Sequence, residues 1–454
     1  MTTDTEKKTF TYHVVTFGCQ MNKNDSERIE SIFAGMGMKP ALCEQEADVI
    51  LLNSCSVRES AEARIFGYAK NYAELKKKNP DLVVCVTGCM PGRDKGNVMG
   101  KKLRGVDFYF PTKDMIHLPR WLCEANPRFR NMLDLEEDYL ALRPTIQKAF
   151  QAFVTIQTGC NHFCSYCVVP FARGLEVNRS LKDILEECHS LAQRGCVEVT
   201  LLGQIVNHYI APDPQYFSSS NPYTKSDFAK LLWEINQISG IERIHYTAPH
   251  PIFMTDEVID ALSLPKHVNY LHLPVQSGSD EMLRKMNRRH DRAFFIDLVQ
   301  RIYQKNPGLA LGTDIIVGFC GETEKMFEDT VDLYKQCQFD ISYTAQYSER
   351  SGTLAVKAFK DDVTKAEKKR RWWVLQKLME ETVLEKNKVF DGKEVSVMVE
   401  NFTKTSKGDW LTGNTREMKR IRFLGDESLV GTIQNVKVSK ADMWMFWGDL
   451  VQKS

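Results

Sequence analysis

The sequence lacks long hydrophobic runs and has almost no net charge. No stretch of its 454 residues approaches the roughly eighteen apolar residues that a membrane helix needs. Residues 1–8 are polar and lead straight into a β-like run, so we expect no secretion signal and a cytoplasmic protein. With 60 basic and 59 acidic residues, the chain as a whole shows no attraction for nucleic acid. Any RNA-binding surface must therefore be local.

The chain does have thirteen cysteines. An odd number, in a chain of this length without a secretion signal, does not suit a framework of disulfide bonds. The remaining roles for these cysteines are metal ligation and burial in the core as thiols. Sequence context separates these roles, since Cys85 stands among valines inside a predicted strand and is expected to be a core thiol.

Short apolar runs alternate with amphipathic helices in a first domain, expected at 10–125. This alternation is typical of a parallel α/β sheet. A link of poor periodicity is expected at 118–145. The predicted strands are at 12–17, 48–53, 82–87 and 106–110, and the predicted helices at 25–36, 59–78 and 94–103.

A second series of strands and helices lies in a central domain, expected at 146–385. Six βα units in order favour a partial (β/α)6 barrel, although a doubly wound sheet would give a similar pattern. A charged helix predicted at 364–388 ends the series. The six predicted strands are at 153–157, 197–202, 241–247, 268–273, 309–317 and 340–347.

The C-terminal segment 386–451 changes to short alternating strands punctuated by glycine, which predicts a small antiparallel β-barrel. Basic and aromatic side chains occur together there, as needed to bind phosphates and stack on RNA bases. An ordinary barrel surface with solvated lysines is the alternative. The residues concerned are Lys404, Lys407, Arg416, Lys419, Arg420, Arg422, Phe402, Trp410 and Phe423.

The strongest signal is a CxxxCxxC triplet, formed by Cys160, Cys164 and Cys167 directly after the first strand of the central domain. Loops in this position carry the chemistry of such barrels. Three close thiols without an evident fourth ligand suit a four-iron cluster that leaves one iron open, whereas structural zinc usually takes four protein ligands. Zinc binding and a chance group of buried thiols are the alternatives.

Three more cysteines, Cys19, Cys55 and Cys89, each lie one or two residues past a predicted strand of the first domain. Because the carboxyl ends of parallel strands share one edge of a sheet, we expect these thiols to converge. Glycines beside Cys19 and Cys89 let the backbone approach a bulky cluster, and neighbouring polar side chains can bond to sulfide. Three unrelated strand-end thiols are the alternative.

The triplet and the segment Val169-Pro170-Phe171-Ala172-Arg173-Gly174 resemble the signatures of the radical S-adenosylmethionine (SAM) methylthiotransferases. Cys19, Cys55 and Cys89 match the cysteines with which that family holds an auxiliary four-iron cluster. The residues around Cys19, and the run Cys55-Ser56-Val57-Arg58-Glu59, are most similar to the branch that modifies isopentenyladenosine in tRNA. The resemblance covers essentially the whole chain.

This resemblance implies two [4Fe–4S] clusters, SAM, and methylthiolation of carbon 2 of N6-isopentenyladenosine at position 37, next to the tRNA anticodon. One cofactor molecule would methylate a cluster-bound sulfur and a second would yield a 5′-deoxyadenosyl radical, so no side chain is expected as catalytic acid or base. The implied partners are the anticodon stem-loop, contacted by a C-terminal TRAM domain, a flavodoxin- or ferredoxin-type electron donor and an iron–sulfur carrier, with no membrane. The alternatives are another acceptor, either threonylcarbamoyl-adenosine in tRNA or a ribosomal protein side chain, and an RNA-binding iron–sulfur sensor without turnover.

The resemblance also assigns residues to the cofactor and the substrate. The expected cofactor residues are Tyr166, Gly203, Gln204, Gln276, Ser277, Asp314, Ile316, Val317 and Gly318. The expected substrate residues are Gln20, Asn22, Arg173, Lys404, Arg416 and Arg420. Three positions depart from the family pattern, with Ile205 for asparagine, Cys320 for proline and Asn414 for arginine, and none of them is an expected cluster ligand.

Overall fold

The computed structural model describes residues 9–56, 59–129, 139–140, 142–145, 149–406 and 408–451. Val57 and Arg58 of the second cysteine motif, and Lys407 of the expected RNA-binding group, therefore lie outside it. The described residues divide into two compact units. The first unit contains those of 1–147 with 158–162 and 167–179, and the second those of 148–157, 163–166 and 180–454. Within these ranges, no helix combines the length and the apolar character that crossing a membrane requires. The predicted boundaries of three domains stay predictions.

The first unit is built around a parallel sheet. Its elements are β1 (Thr11–Thr16), α1 (Gln20–Gly35), β2 (Lys39–Pro40), β3 (Val49–Ser54), α2 (Glu59–Lys78), β4 (Val83–Gly88), α3 (Cys89–Arg93), β5 (Phe108–Tyr109) and α4 (Leu118–Ala125). The strand order is β2-β1-β3-β4-β5. Ile29 and Phe33 of α1 pack on one face of the sheet and Ile65 and Tyr72 of α2 on the other. This explains why β3 and β4 are buried throughout and why both begin with an apolar run.

The predicted α/β sheet is confirmed, but the helix predicted at 94–103 is wrong. The carboxylate of Asp94 accepts hydrogen bonds from the backbone N–H groups of Val98, Met99 and Gly100, at 2.7 to 3.1 Å. This side chain therefore competes with helical backbone bonding and forms a loop. The predicted link at 118–145 begins with the helix α4, which its poor periodicity did not indicate.

Six parallel strands of the central segment form the partial barrel that the sequence predicted. They pair as β6-β9-β10 and β11-β12-β13, and a parallel bridge between Ile244 and His267 joins the two sets. The elements are β6 (Gln151–Thr155), β7 (Gln157–Thr158), α5 (Val169–Arg173), β8 (Val177–Asn178), α6 (Leu181–Gln193), β9 (Glu198–Leu202), α7 (Asp227–Gln237), β10 (Arg243–Tyr246), α8 (Asp256–Ala261), β11 (Tyr270–His272), α9 (Asp280–Lys285), α10 (Arg292–Lys305), β12 (Ala310–Val317), α11 (Glu324–Cys337), β13 (Ile341–Gln346), α12 (Leu354–Ala358) and α13 (Lys365–Lys388). Of these, α5 and β8 belong to the first unit.

The two faces of β12 differ, because side chains alternate along a strand. Thr313, Ile315 and Val317 are fully buried on the face that the helices cover. Asp314 and Ile316 are only partly buried on the opposite face, which lines the barrel lumen. Polar groups on this second face are therefore available to a ligand in the lumen.

The C-terminal segment forms a closed five-stranded barrel in the order β14-β15-β16-β18-β17. Its strands are β14 (Glu394–Thr405), β15 (Gly408–Thr415), β16 (Arg420–Leu424), β17 (Ile433–Ala441) and β18 (Phe446–Leu450). Val397, Leu411, Phe423 and Phe446 fill its core. The expected small β-barrel is confirmed, but it is not wholly antiparallel, because β16 pairs with β18 in parallel.

A buried arginine fastens this small barrel to the partial barrel inside the second unit. Arg243 of β10 forms an ion pair with Glu198 of β9 at 2.6 Å, and both side chains are at most 7% exposed. The same guanidinium donates to the backbone oxygen of Thr415 at 3.0 Å. The contact joins the two barrels through backbone groups and does not depend on the side chain at position 415.

Candidate functional site

The outer trio, Cys19, Cys55 and Cys89, follows three adjacent strands at one edge of the first unit's sheet. The side-chain oxygen of Asn22 lies 3.9 Å from the sulfur atoms of both Cys19 and Cys89. A Cβ atom built on Gly18 would lie 3.1 Å from the sulfur of Cys55. The convergence predicted from the strand ends is therefore present.

Two glycines make room for the outer trio. Gly18 has φ +112° and Gly88 has φ +99°, a conformation that other residues rarely adopt. A Cβ atom on Gly88 would lie 2.3 Å from the backbone oxygen of Ser54. The chain can therefore turn directly into Cys19 and Cys89 only because these positions carry no side chain.

Asn22 is held in one orientation beside the outer trio. Its amide nitrogen donates to the backbone oxygens of Phe17 at 2.8 Å and Ser54 at 2.9 Å. Its side-chain oxygen accepts from Arg173 at 2.9 Å. The amide oxygen thus faces the sulfur atoms and a guanidinium, which is how a residue next to a cluster fixes its surroundings.

Arg173 also forms a buried ion pair with Asp25, at 2.7 Å, with the two side chains 3% and 1% exposed. Burial alone would lower the pKa of Arg173, but the carboxylate of Asp25 holds it well above its ordinary value. Sequence reasoning missed Asp25. The only signal was an acidic residue in a helix whose polar residues, such as Asn22, are unusually buried, and that burial becomes visible only in the fold.

The thiol of Cys89 is suited to a metal ligand rather than to a free thiolate. Burial raises its pKa to about 11, with Arg173 opposing the shift and the other two cysteines adding to it. Such a thiol ionises at neutral pH when a metal replaces the proton. Within the described ranges, no three His, Cys, Asp or Glu side chains are spaced to hold one metal ion.

The triplet loop presents backbone N–H groups to two of its sulfur atoms. In the first unit, His162 N–H donates to the sulfur of Cys160 at 3.5 Å, and Val169 N–H to that of Cys167 at 3.4 Å. Gly159 has φ +75°, and a Cβ atom there would lie 2.0 Å from the backbone oxygen of Leu175. Hydrogen bonds of this kind to sulfur tune an iron–sulfur cluster, so the loop fits such a group.

Cys164, the middle cysteine of the triplet, belongs to the second unit. Arg288 places a guanidinium nitrogen 3.7 Å from its sulfur atom. Ser165 anchors the loop by donating to the backbone oxygen of Lys285 at 2.8 Å. The guanidinium thus donates a hydrogen bond to this sulfur, as groups that surround an iron–sulfur cluster do.

Three of the expected cofactor residues lie together at the ends of β11 and β12. The backbone N–H of Gln276 donates to the oxygen of Asp314, and Ile316 N–H donates to the oxygen of Gln276, both at 2.9 Å. Gln276 has φ +73°, an uncommon backbone conformation for a residue other than glycine. Tyr166 packs in the same apolar cluster as Ile316. These four residues can thus border one ligand.

Gly203 and Gln204 follow β9, where the backbone approaches closely. A Cβ atom on Gly203 would lie 3.0 Å from the Cα atom of Val206. Ile205, which replaces the usual asparagine, is buried and donates its N–H to the side chain of Gln157 at 3.1 Å. Gln204 remains partly exposed and can reach a ligand.

The other expected cofactor residues use their polar groups inside the protein. Ser277 is fully buried and its hydroxyl lies 3.3 Å from that of Thr330. The side chain of Val317 is fully buried as well. Gly318 N–H donates to Glu322 at 2.6 Å. Their roles in binding a cofactor stay predictions, and these three residues are less favourably placed for it than Gln276.

The structure separates the expected RNA-contact residues by their surroundings. Gln20 and Lys404 are exposed. Arg420 is exposed as well, and it lies 3.6 Å from the carboxylate of Glu400. Arg416 instead donates to the backbone oxygen of Pro265 at 2.7 Å, so its guanidinium already has a structural contact. Their binding of RNA stays a prediction.

An aromatic group on the small barrel was only partly foreseen. The guanidinium of Arg422 lies 4.7 Å from the ring centre of Trp410 and 5.8 Å from that of Trp447. Trp447 was missed, although the alternation of β18 places it on the outer face beside Arg422. Aromatic rings beside a guanidinium are suited to nucleobases.

Known proteins resemble the chain over nearly its full length. The model of the Radical SAM superfamily matches residues 154–334, and that of the uncharacterized protein family UPF0004 matches 11–110. The tRNA-2-methylthio-N(6)-dimethylallyladenosine synthase of Thermoanaerobacter sp. (strain X514) is 39% identical over 98% of this chain and 93% of its own. The protein of the same name from Carboxydothermus hydrogenoformans is 38% identical over 97% of this chain and 99% of its own.

A solved structure shares the fold at low sequence identity. The radical S-adenosylmethionine methyltransferase TsrM from Kitasatospora setae, with cobalamin and a [4Fe-4S] cluster bound, is 13% identical, with a TM-score of 0.52. The match covers 74% of this chain and 75% of that one. Together with the full-length relatives, this means that the chain belongs to the tRNA-2-methylthio-N(6)-dimethylallyladenosine synthase family within the radical SAM superfamily.

Proposed function

We propose that this protein methylthiolates carbon 2 of N6-isopentenyladenosine at position 37 of tRNA. The observation that carries the proposal is the convergence of Cys19, Cys55 and Cys89 on a chain that also has the CxxxCxxC loop. The names of its full-length relatives support the same reaction.

Each set of three cysteines would hold one [4Fe–4S] cluster, and Tyr166, Gln204, Gln276 and Ile316 would border SAM. When bound, these groups supply the electron, the radical, the sulfur and the methyl group of the reaction. The chain provides thiolate ligands and N–H donors to sulfur, and it keeps Cys89 and Cys160 almost free of solvent. No side chain needs to act as an acid or a base.

Asn22 and Arg173 would position the ligands of the outer trio rather than react. The Asn22 amide cannot rotate without breaking its two bonds to backbone oxygens and the bond from Arg173. Its oxygen therefore stays directed toward Cys19 and Cys89. A fixed dipole beside the sulfur atoms limits the reorganisation that accompanies a change of charge.

The substrate in this proposal is the anticodon stem-loop, because an adenosine must be unstacked to expose carbon 2 and a single-stranded loop allows this. Lys404 and the group formed by Trp410, Arg422 and Trp447 offer charge and stacking surface on the small barrel. We further infer a TRAM role for this barrel, a flavodoxin- or ferredoxin-type electron donor, an iron–sulfur carrier and a cytoplasmic location.

Iron and sulfide analysis tests the count of two clusters. Anaerobically reconstituted protein carrying Cys160→Ala, Cys164→Ala and Cys167→Ala is expected to keep roughly half of the wild-type iron, since the outer trio retains its cluster. Cys123→Ala, at a partly buried cysteine on α4, is the control and is expected to keep all of it. Zinc in place of iron, or complete loss of iron in the triple variant, would contradict the proposal.

Nucleoside mass spectrometry tests the reaction. Transfer RNA from a strain lacking this gene is expected to lack 2-methylthio-isopentenyladenosine. The modification is expected to return with the wild-type gene but not with the gene for the triple cysteine variant. Unchanged levels in the deletion strain would reject the substrate and favour another acceptor. A sensor without turnover would release no 5′-deoxyadenosine from SAM when reduced by dithionite, whereas the proposed enzyme releases it.

A further inference from the structure

The lumen of the partial barrel contains a row of polar side chains to which the proposed chemistry assigns no role. The ring nitrogen Nε2 of His272 lies 3.2 Å from Oδ1 of Asp314, and Nδ1 lies 3.0 Å from the hydroxyl of Tyr270. A neutral imidazole has one N–H and one acceptor nitrogen. Nδ1 can accept from the Tyr270 hydroxyl, which leaves the proton on Nε2, the nitrogen that faces the Asp314 carboxylate.

Gly312 leaves the space that this arrangement needs. A Cβ atom at position 312 would lie 2.2 Å from the hydroxyl oxygen of Tyr270 and 2.6 Å from Nδ1 of His272. Both side chains thus cross directly over the backbone of β12. The contact also shows that Tyr270, His272 and Gly312 share the lumen face of the sheet, with Asp314 two residues further along it.

Asp314 and Tyr343 form the accessible end of this row of side chains. They are direct neighbours in the register of β12 and β13. The Asp314 side chain is 41% exposed and Tyr343 is 57% exposed, and the Tyr343 ring lies 5.6 Å from that of His272. An exposed ring beside a carboxylate offers a stacking surface next to a group that only accepts hydrogen bonds.

We propose that Tyr343 stacks on the target nucleobase and that Asp314 accepts a hydrogen bond from its exocyclic N–H, with His272 as the positioning residue for Asp314. This inference rests on the proposed function and names the groups that recognise its substrate. An adenine alkylated at N6 keeps one exocyclic N–H and therefore still matches the carboxylate. A base with a carbonyl at that position would place two acceptors against each other, which disfavours it.

The inference assigns Asp314 to the substrate, where the sequence had indicated the cofactor. The backbone oxygen of Asp314 is taken by Gln276, which lies on the side of the expected cofactor residues. The carboxylate instead faces His272 and Tyr343 in the lumen. The main chain of Asp314 thus bonds to the segment that follows β11, while its side chain faces the lumen, where a different ligand can bind.

Steady-state kinetics of the anaerobically reconstituted full-length protein test this assignment. The substrate is an anticodon stem-loop RNA with N6-isopentenyladenosine at the target position, and the KM values for RNA and for SAM are measured separately. Asp314→Asn turns an amide N–H toward the base, because the amide oxygen stays with His272, and Tyr343→Leu removes the stacking ring. Each is expected to raise the KM for RNA at least tenfold and to change the KM for SAM less than twofold.

Tyr343→Phe restores the ring and is expected to bring the KM for RNA back toward the wild-type value. Asp297→Asn and Trp373→Leu alter an exposed carboxylate on α10 and an exposed ring on α13, and serve as matched controls with unchanged values. A rise in the KM for SAM with Asp314→Asn, or no change in either KM with both variants, would overturn the inference. An unchanged KM for SAM also shows that a variant has folded.

Fluorescence anisotropy of the labelled RNA separates this inference from the proposed function. If the wild-type protein binds the RNA but forms no methylthiolated product, while Asp314→Asn and Tyr343→Leu bind at least tenfold more weakly, the proposed reaction fails and the base-binding role stands. If product forms and both variants bind as the wild type does, the base-binding role fails and the reaction stands.

Discussion

Single residues decide whether the chain can place three sulfur atoms at one sheet edge. Gly88 adopts φ +99° next to the backbone of Ser54, immediately before Cys89. Gly67, by contrast, is exposed in α2 and has no neighbouring atom within 4 Å of the position a Cβ atom would take. The same substitution therefore has opposite physical effects at the two positions.

Gly88→Ala is expected to destabilise the first unit by at least about 1–3 kcal/mol, because alanine disfavours this backbone conformation and its Cβ atom meets the oxygen of Ser54. Gly67→Ala is expected to stabilise α2 by about 0.5–1 kcal/mol, since glycine loses more chain entropy inside a helix. Hydrogen exchange of the β4 and α2 amides measures both local changes. Equal effects at the two positions would contradict the backbone argument.

At the scale of elements, α1 and α5 of the first unit are joined by the buried pair of Asp25 and Arg173. The two residues lie 148 positions apart in sequence. A buried ion pair contributes little when compared with a well-packed apolar pair, but removing one partner leaves a charge without compensation. The pair therefore specifies how α5 sits on α1 more than it adds stability.

Asp25→Asn is expected to destabilise the first unit by about 3–5 kcal/mol, because the Arg173 guanidinium stays buried without its counter-charge. Combining Asp25→Leu with Arg173→Met is expected to cost less than the sum of the single changes. Hydrogen exchange of the α1 amides provides the measurement. Glu74→Gln, which breaks the exposed pair with Lys77, serves as the control and is expected to cost at most about 1 kcal/mol. Additive effects would show that the pair is not coupled.

The elements that the sequence predicted well are those with one dominant physical cause. The central strands are apolar runs buried on both faces, and the cysteines that follow them converge because parallel strands end at one edge. The helix expected at 94–103 failed because the Asp94 side chain bonds to three backbone amides. A prediction from sequence patterns depends on the periodicity of apolar residues. A single side chain that hydrogen-bonds to the backbone does not change that periodicity, so the prediction cannot detect it.

The candidate site was predictable as a set of ligands but not as a network. Cysteine spacing located the triplet and the predicted strand ends located the outer trio. The contacts of Arg173 with Asn22 and Asp25, by contrast, join positions that no local pattern connects. The same applies to Arg416, whose basic character indicated RNA binding while the fold pairs it with a backbone oxygen. Long-range polar contacts require the tertiary structure.

At the scale of the whole molecule, the second unit contains both the partial barrel and the small barrel. Arg243 and Glu198 lie at the N-terminal ends of β10 and β9, and Arg243 reaches the last residue of β15. The contact therefore sets where the small barrel, and any RNA bound to it, stands relative to the lumen of the same unit.

Glu198→Gln is expected to weaken this attachment by about 3–5 kcal/mol, because Arg243 keeps its burial but loses the carboxylate. The amides of β15 should then exchange faster, while those of β12 remain protected. Adding Arg243→Met to Glu198→Gln is expected to restore part of the loss. Lys440→Gln, at an exposed ion pair with Asp442 on the same barrel, is the control with little effect. Faster exchange throughout the unit would mean that the pair supports the partial barrel instead.

The link between Asn22 and Arg173 also has a consequence for the order of events during translation. The two residues lie 151 positions apart, so at about 5–20 residues per second their synthesis is separated by roughly 8–30 s. In the last part of that interval, after β4 and α3 have been synthesised, every strand and helix that places the outer trio has been made, but the guanidinium that covers Asn22 has not. A nascent chain therefore exposes these cysteines before α5 closes over them, which gives an assembly factor a limited period of direct access.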